Sequence, residues 1–165
     1  MCNPLNKAHY PKDWIPQNCG FTSQHDDPET AQRTGAPADF GLGMPNGGLQ
    51  VVNPSAAVYD LILARLSDPT VMAYDFADQS LLGDLFRGRW VPLPYTYNAL
   101  KTLRTFSHKV LWRDEEVRNV HYILSPKPWQ EKEGERSEEE THGWWWGVNA
   151  ERLVEEKKAG IEDGF

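Results

Sequence analysis

Only two cysteines, Cys2 and Cys19, occur in the 165-residue chain. That count excludes both a disulfide framework and a cysteine-based zinc cluster. Two thiols fit a reducing compartment and leave one bridge between them open. Apolar runs are short, and none approaches the roughly 18 residues that cross a bilayer. The opening "MCNPLNKAHYPKDW" has neither the charged nor the apolar region of a secretion signal. Positive charge is also scarce: 17 Lys and Arg stand against 24 Asp and Glu, a net charge of −7. No basic stripe is present to meet a phosphate backbone, which argues against nucleic acid. The expectation is a soluble, cytoplasmic chain with neither nucleic acid nor a membrane as partner.

Aromatic residues are plentiful, and seven tryptophans within a hydrophobic content of 39% argue against disorder over most of the length. Residues 1–47 read as a loop-rich N-terminal segment, and seven of the twelve prolines lie by Pro54. Order is expected from residue 48. A strand over Leu49–Val52 leads to a helix with Asn53 as cap and Pro54 at its first position. The apolar stripe of that helix is Val58, Leu61, Ile62 and Leu66. A second helix starts at Asp78 with Leu81, Leu82, Leu85 and Phe86 on one face. "WVPLP" is extended, residues 98–106 form a short helix, and Val117–Ile123 a strand. Residues 130–143 form an acidic linker, with six glutamates against one lysine and one arginine in "QEKEGERSEEE". Residues 144–165 supply a tryptophan-rich last helix, capped at Asn149 and stopped at Gly160, with Trp145, Val148 and Leu153 as its buried stripe. Strands alternating with helices predict an α/β fold.

Five groups carry possible chemistry. Asn46-Gly47-Gly48 precedes the first expected strand; glycines let a ligand approach the backbone, and the asparagine amide offers a donor and an acceptor to hydroxyl-rich ligands. The same tripeptide also makes an ordinary tight turn. Asp75, Asp78 and Gln79 put carboxylates and an amide at a helix start, where Asp78 would equally serve as the N-cap. His121, on the strand "NVHYIL", is of a type that ligates divalent metals, although one histidine makes no site and strand histidines are commonly structural. The carboxylates that would complete it are missing: the chain has no Asp-x-Asp. Lys127 stands between Pro126 and Pro128, which restrict its backbone and would pre-position an ammonium against a diphosphate, or simply leave a surface lysine. Trp144–Trp146 could stack on sugars, or pack in a core.

The order of these signals is more specific than any one of them. Asn-Gly-Gly before "VVNPS", then Asp-Gln-x-Leu-Leu, "LPYTYN", and "VHY" followed by Lys-Pro-Trp resembles glycosyltransferase family 8, the group that contains glycogenin and galactinol synthase. The match runs from about Gly43 to Trp129, so residues 48–129 would be the C-terminal part of its catalytic domain. The resemblance implies a partial GT-A fold, the nucleotide-diphospho-sugar transferase fold, lacking its N-terminal nucleotide-binding βαβ half with the Asp-x-Asp motif. It implies retaining transfer of a hexose from a UDP-sugar to a carbohydrate or polyol acceptor, with this chain alone inactive or impaired. His121 would ligate manganese (Mn2+) in an incomplete site, and Lys127 would contact the donor's diphosphate. Asn46 and Gly47 would line the donor sugar, with Asn98 beside them. Asp75, Asp78 and Gln79 would surround the transferring carbon and the acceptor. Leu124 replaces a glycine that the family places near the phosphates. A sheet without its first strands would leave an unpaired edge that invites homo-oligomers. The competing expectation is a non-catalytic carbohydrate- or partner-binding remnant using the tryptophans.

Overall fold

A computed structural model describes residues 3, 7, 8, 10–106, 108–132 and 139–162. Cys2 and positions 133–138 of the acidic linker lie outside the described residues. The chain divides into two compact units, Met1–His121 and Tyr122–Phe165.

In the first unit the proline-rich opening is irregular yet packed. Two 3-10 turns, Pro16–Asn18 and Gly20–Gln24, lead to a single helical turn, α1 (Pro28–Ala31), capped by the Asp27 carboxylate on the Thr30 N–H. Trp14 is buried, with its ring stacked 4.5 Å from that of Phe76. Gln32, also buried, donates to the carbonyls of Pro28 (2.8 Å) and Leu111 (2.7 Å). The Tyr95 hydroxyl donates to the Gln32 oxygen at 2.8 Å and accepts from the Arg113 N–H at 2.9 Å. Apart from the Gln32–Pro28 bond, these hydrogen bonds join partners 18 to 79 positions apart that carry no local periodicity, which is why turn chemistry alone suggests only a loop.

The next elements correct several expectations. Residues 49–52 form no strand, and Val51 is 82% exposed. Helix α2 (Ala56–Leu66) starts two residues later than its proline suggests, because Ser55 takes the cap with its Oγ accepting from the Val58 N–H. Its expected stripe is not in the core: no residue of α2 is buried, and Leu66 is 52% exposed. What ties α2 down is polar. Arg65 bonds Asp68 (2.7 Å), Asp84 (2.9 Å) and the Tyr74 hydroxyl (2.6 Å), and that hydroxyl donates to Asp84 (2.6 Å). The Tyr74 bond, then Arg65, holds the Asp84 carboxyl below the usual carboxylate range. Helix α3 (Ala77–Leu85) buries Leu81.

Strands β1 (Ala99–Leu100) and β2 (Val120–His121) form a two-stranded parallel sheet, with Ala99 opposite Val120 and Leu100 opposite His121. The expected strand over 117–123 is thus cut to the two residues that find a partner. Helix α4 (Lys101–Thr105) follows β1, and its Arg104 forks onto Asp114 with both bonds at 2.9 Å. Leu111, Leu103, Ala99 and Trp112 complete the buried centre of this unit.

One contact in this core titrates. His25 Nε2 lies 2.9 Å from Nδ1 of buried His108, so one ring donates and the other accepts. Burial holds His25 below the usual imidazole value; His108 pushes the same way, while Cys19 and Asp26 act against it. The unfolded chain then binds more protons than the folded one, so the stability tied to this group is full above about pH 6.5 and is lost as pH falls from there through the folded pKa. The urea midpoint is therefore expected to fall between about pH 6.5 and 5, and His25→Gln to flatten that fall. A wild-type profile level across the window would count against the assignment.

The second unit is built around helix α5 (Glu140–Ala159), which ends on Gly160 in the left-handed region at φ 67°. It begins nine residues before the expected cap at Asn149, with Glu139 and Glu140 at the end where a helix favours negative charge. Its expected stripe is also corrected, since Val148 is 68% exposed and the buried residues are Thr141 and His142. His142 is held between carboxylates, Nδ1 2.6 Å from Glu131 and Nε2 3.0 Å from Glu139. The Tyr122 hydroxyl donates to the Thr141 carbonyl at 2.8 Å, and burial pushes its pKa up to about 12. Among the described residues, no helix is long and apolar enough to cross a membrane.

Candidate functional site

Three elements of the first unit converge on the Asn46-Gly47-Gly48 turn. From α3, Gln79 reaches back so that its Oε1 accepts from the Gly47 N–H at 3.0 Å. From the residue just before β1, Asn98 donates its Nδ2 to the Asn46 side-chain oxygen at 2.9 Å. The same oxygen accepts from the Gly48 N–H at 2.9 Å, closing the turn on itself. From β2 comes His121, whose backbone is set by pairing with Leu100.

Gly48 is the position that lets these groups meet. A Cβ there would lie 2.5 Å from both Cε1 and Nδ1 of His121 and 2.9 Å from the Asn46 oxygen. Its φ lies outside the left-handed region, so it is space rather than backbone conformation that requires glycine. From the sequence Gly48 reads as part of a tight turn or of a close approach to a ligand, and nothing there pairs it with His121. A Cβ on Gly47 would sit 3.7 Å from the Asp78 carboxylate and 3.3 Å from Gln79 Cβ, so Asp78 borders the turn.

Asp78 is not the cap of α3. The helix starts one residue earlier, Phe76 occupies the cap position, and Ser80 Oγ accepts from the Phe76 N–H at 3.2 Å. Ala77 between Asp75 and Asp78 has a φ of 38°, which costs an L-residue roughly 1 kcal/mol or more. Asp75 is exposed on the preceding turn and forms no hydrogen bond among the described residues. The structure thus gathers Asn46, Gly47, Gln79, Asn98 and His121, places Asp78 at their edge, and leaves Asp75 exposed.

Lys127 belongs to the second unit. Its ammonium donates to the Tyr122 carbonyl, and its backbone N–H donates to the Gln130 side chain at 2.9 Å. Leu124 holds φ 67°, a conformation that favours glycine and costs leucine roughly 1–2 kcal/mol. Trp129 is 53% exposed, with the ring of Tyr122 edge-on at 6.0 Å and that of Trp145 at 5.9 Å.

The first-unit cluster is mostly neutral: three carboxamides, two backbone N–H groups, an imidazole and one bordering carboxylate. Such a set suits hydroxyl groups better than anions. As a metal centre it does not fit. Among the described residues no group of three or more His, Cys, Asp or Glu is placed to hold an ion, and His121 is a single ligand.

Comparison with known proteins gives the cluster a context. A probable glycosyl transferase of Streptococcus gordonii is 32% identical over 95 residues, covering 56% of this chain and 14% of the relative. Galactinol synthase 1 of Solanum lycopersicum is 31% identical over 130 residues, 70% of this chain and 37% of the relative. A glycogenin of Neurospora crassa is 29% identical over 119 residues, 65% of this chain and 16% of the relative. No family model matches the chain. No solved structure matches it. The chain spans 14% to 37% of the length of the curated relatives it matches.

Proposed function

Because the chain is a relative of glycosyltransferases of the galactinol synthase and glycogenin kind, we propose that it forms part of a family 8 enzyme with a GT-A fold. The reaction is retaining transfer of a hexose from a UDP-sugar to a carbohydrate or polyol acceptor, in the cytoplasm. The observation that carries this reading is the convergence of Gln79, Asn98 and His121 on the Asn46-Gly47-Gly48 turn. Residues 48–129 are the catalytic-domain portion, and this chain alone transfers poorly.

In this reading Asn46 and the backbone at Gly47 hold the donor hexose through its hydroxyls. Asp78 and Gln79 border it, and Asp75 approaches the acceptor. Cleavage of the bond to a nucleotide diphosphate makes the sugar oxocarbenium-like, and a bordering carboxylate stabilises that positive charge. Lys127 is assigned the diphosphate, whose negative charge its ammonium would offset. The family resemblance implies a manganese ion with His121 as ligand. The residues described here do not complete such a site, so no step is derived through the ion. The exposed Trp129 favours a second reading, sugar binding without transfer.

Titration calorimetry with UDP-glucose and UDP-galactose, with manganese present, separates the two. The expected result is binding of at least one nucleotide sugar, weakened about tenfold or more by His121→Ala, a loss of at least about 1.4 kcal/mol. Binding of free oligosaccharide, with no affinity for UDP or its sugars, would sink the transferase reading in favour of the second.

A further inference from the structure

The amides of Asn46 and Asn98 are oriented by a backbone group. Gly48 N lies 2.9 Å from a side-chain atom of Asn46. A backbone N–H has a hydrogen to donate and nothing to accept with, so that atom is the carboxamide oxygen. The Asn98 atom at 2.9 Å from the same oxygen is then its nitrogen. Both lone pairs of the Asn46 oxygen are thereby occupied. No hydrogen bond among the described residues takes up the two N–H groups of Asn46 Nδ2. Gln79 cannot exchange roles with Asn98, because its oxygen is engaged by Gly47 N–H at 3.0 Å and its nitrogen faces Met44 Sδ at 3.8 Å.

We infer that Asn98 is a positioning residue that acts through Asn46, locking its amide so that Nδ2 is offered to the ligand as a hydrogen-bond donor. The ligand atom this reads is a neutral oxygen such as a hexose hydroxyl, since neither carboxamide carries charge to hold a phosphate. Gln79 fixes the turn backbone and Asn98 fixes the amide, so the two act on different parts of one tripeptide. The identity of the hexose rests on the glycosyltransferase reading; the amide orientation does not.

Two measurements test the inference separately. In 15N NMR without ligand, the side-chain amide hydrogens of Asn98 should exchange more slowly than those of Asn46, and Asn98→Ala should shift the Asn46 amide resonances. The second measurement titrates UDP, UDP-glucose and UDP-galactose. Asn46→Asp keeps both accepted hydrogen bonds but replaces the donor NH2 with a charged oxygen. Asn98→Ala removes the positioning bond without adding charge. Each should erase the affinity that the hexose adds over UDP by about tenfold, leaving UDP itself within about twofold. Loss of that increment in Asn46→Asp with full retention in Asn98→Ala would overturn the positioning role. A wild-type protein that binds no UDP compound would sink the glycosyltransferase reading alone. The exchange rates still decide the orientation in that case: faster exchange at Asn98 than at Asn46 overturns it, and slower exchange upholds it.

Discussion

Replacing Leu111 with alanine is expected to lower the unfolding free energy by about 3 kcal/mol, read as a fall in the urea midpoint at unchanged slope. Leu111 is 0% exposed and is among the largest fully buried side chains. Truncation removes burial and leaves a cavity that a close-packed interior fills only in part. The bond that its main-chain carbonyl accepts from the Gln32 side chain at 2.7 Å survives in alanine, so the measured loss isolates the side chain. Against a total stability of roughly 5–15 kcal/mol, 3 kcal/mol is a large share. Leu66→Ala on the exposed face of α2 serves as the control and should cost less than about 1 kcal/mol. Equal losses at the two positions would mean that the buried centre has been misplaced.

That contrast marks where the sequence is informative about the fold. Periodicity at Val58, Leu61, Ile62 and Leu66 correctly indicates a helix, yet says nothing about whether a neighbour covers its stripe. In α2 no residue is buried. The reverse holds for Trp14, Gln32 and Tyr95. They sit in segments without any repeat, and their burial depends on partners brought together from across the unit. The short strand carrying His121 was legible from its β-branched and aromatic neighbours, but its two-residue length depends on how much of β1 is there to pair with. The boundary at Ala77 is not legible in the sequence, because Asp78 is the better capping residue and a positive φ on alanine leaves no mark in composition.

The candidate site divides in the same way. The order of Asn-Gly-Gly, Asp-Gln, Tyr-Asn, His and Lys-Pro-Trp puts Asn46, Gly47, Asp75, Asp78, Gln79, Asn98, His121 and Lys127 in one expected site, and the fold brings Asn46, Gly47, Gln79, Asn98 and His121 together. The bonds within the group were not readable. Gln79 would be expected to face a ligand, whereas its oxygen is occupied by the Gly47 N–H 32 positions away. Lys127 would be expected to project its ammonium outward, whereas it meets the carbonyl of Tyr122 in its own loop. Side-chain direction depends on which backbone groups lack partners once the chain is folded, and those are set by tertiary structure.

The largest functional effect is expected at Gly48. Gly48→Ala places a carbon 2.5 Å from two atoms of the His121 ring, closer than van der Waals contact permits. Either the imidazole leaves its position or the turn moves. A moved turn breaks the Gly48 N–H bond to Asn46 and with it the amide orientation. Overpacking of this kind costs about 1–3 kcal/mol of stability. If the same energy is withdrawn from ligand binding, UDP-hexose affinity falls by roughly 5- to 150-fold. Gly47→Ala meets its nearest atom at 3.3 Å and should be milder. A double-mutant cycle identifies the cause. In a His121→Ala background the ring is gone, so Gly48→Ala should lose most of its stability cost, with a coupling energy of about 1 kcal/mol or more. The remaining 2.9 Å approach to the Asn46 oxygen accounts for what persists. If instead the cost of Gly48→Ala is unchanged when His121 is absent, the ring does not rest on the glycine, and the convergence of β2 on this turn is disproved.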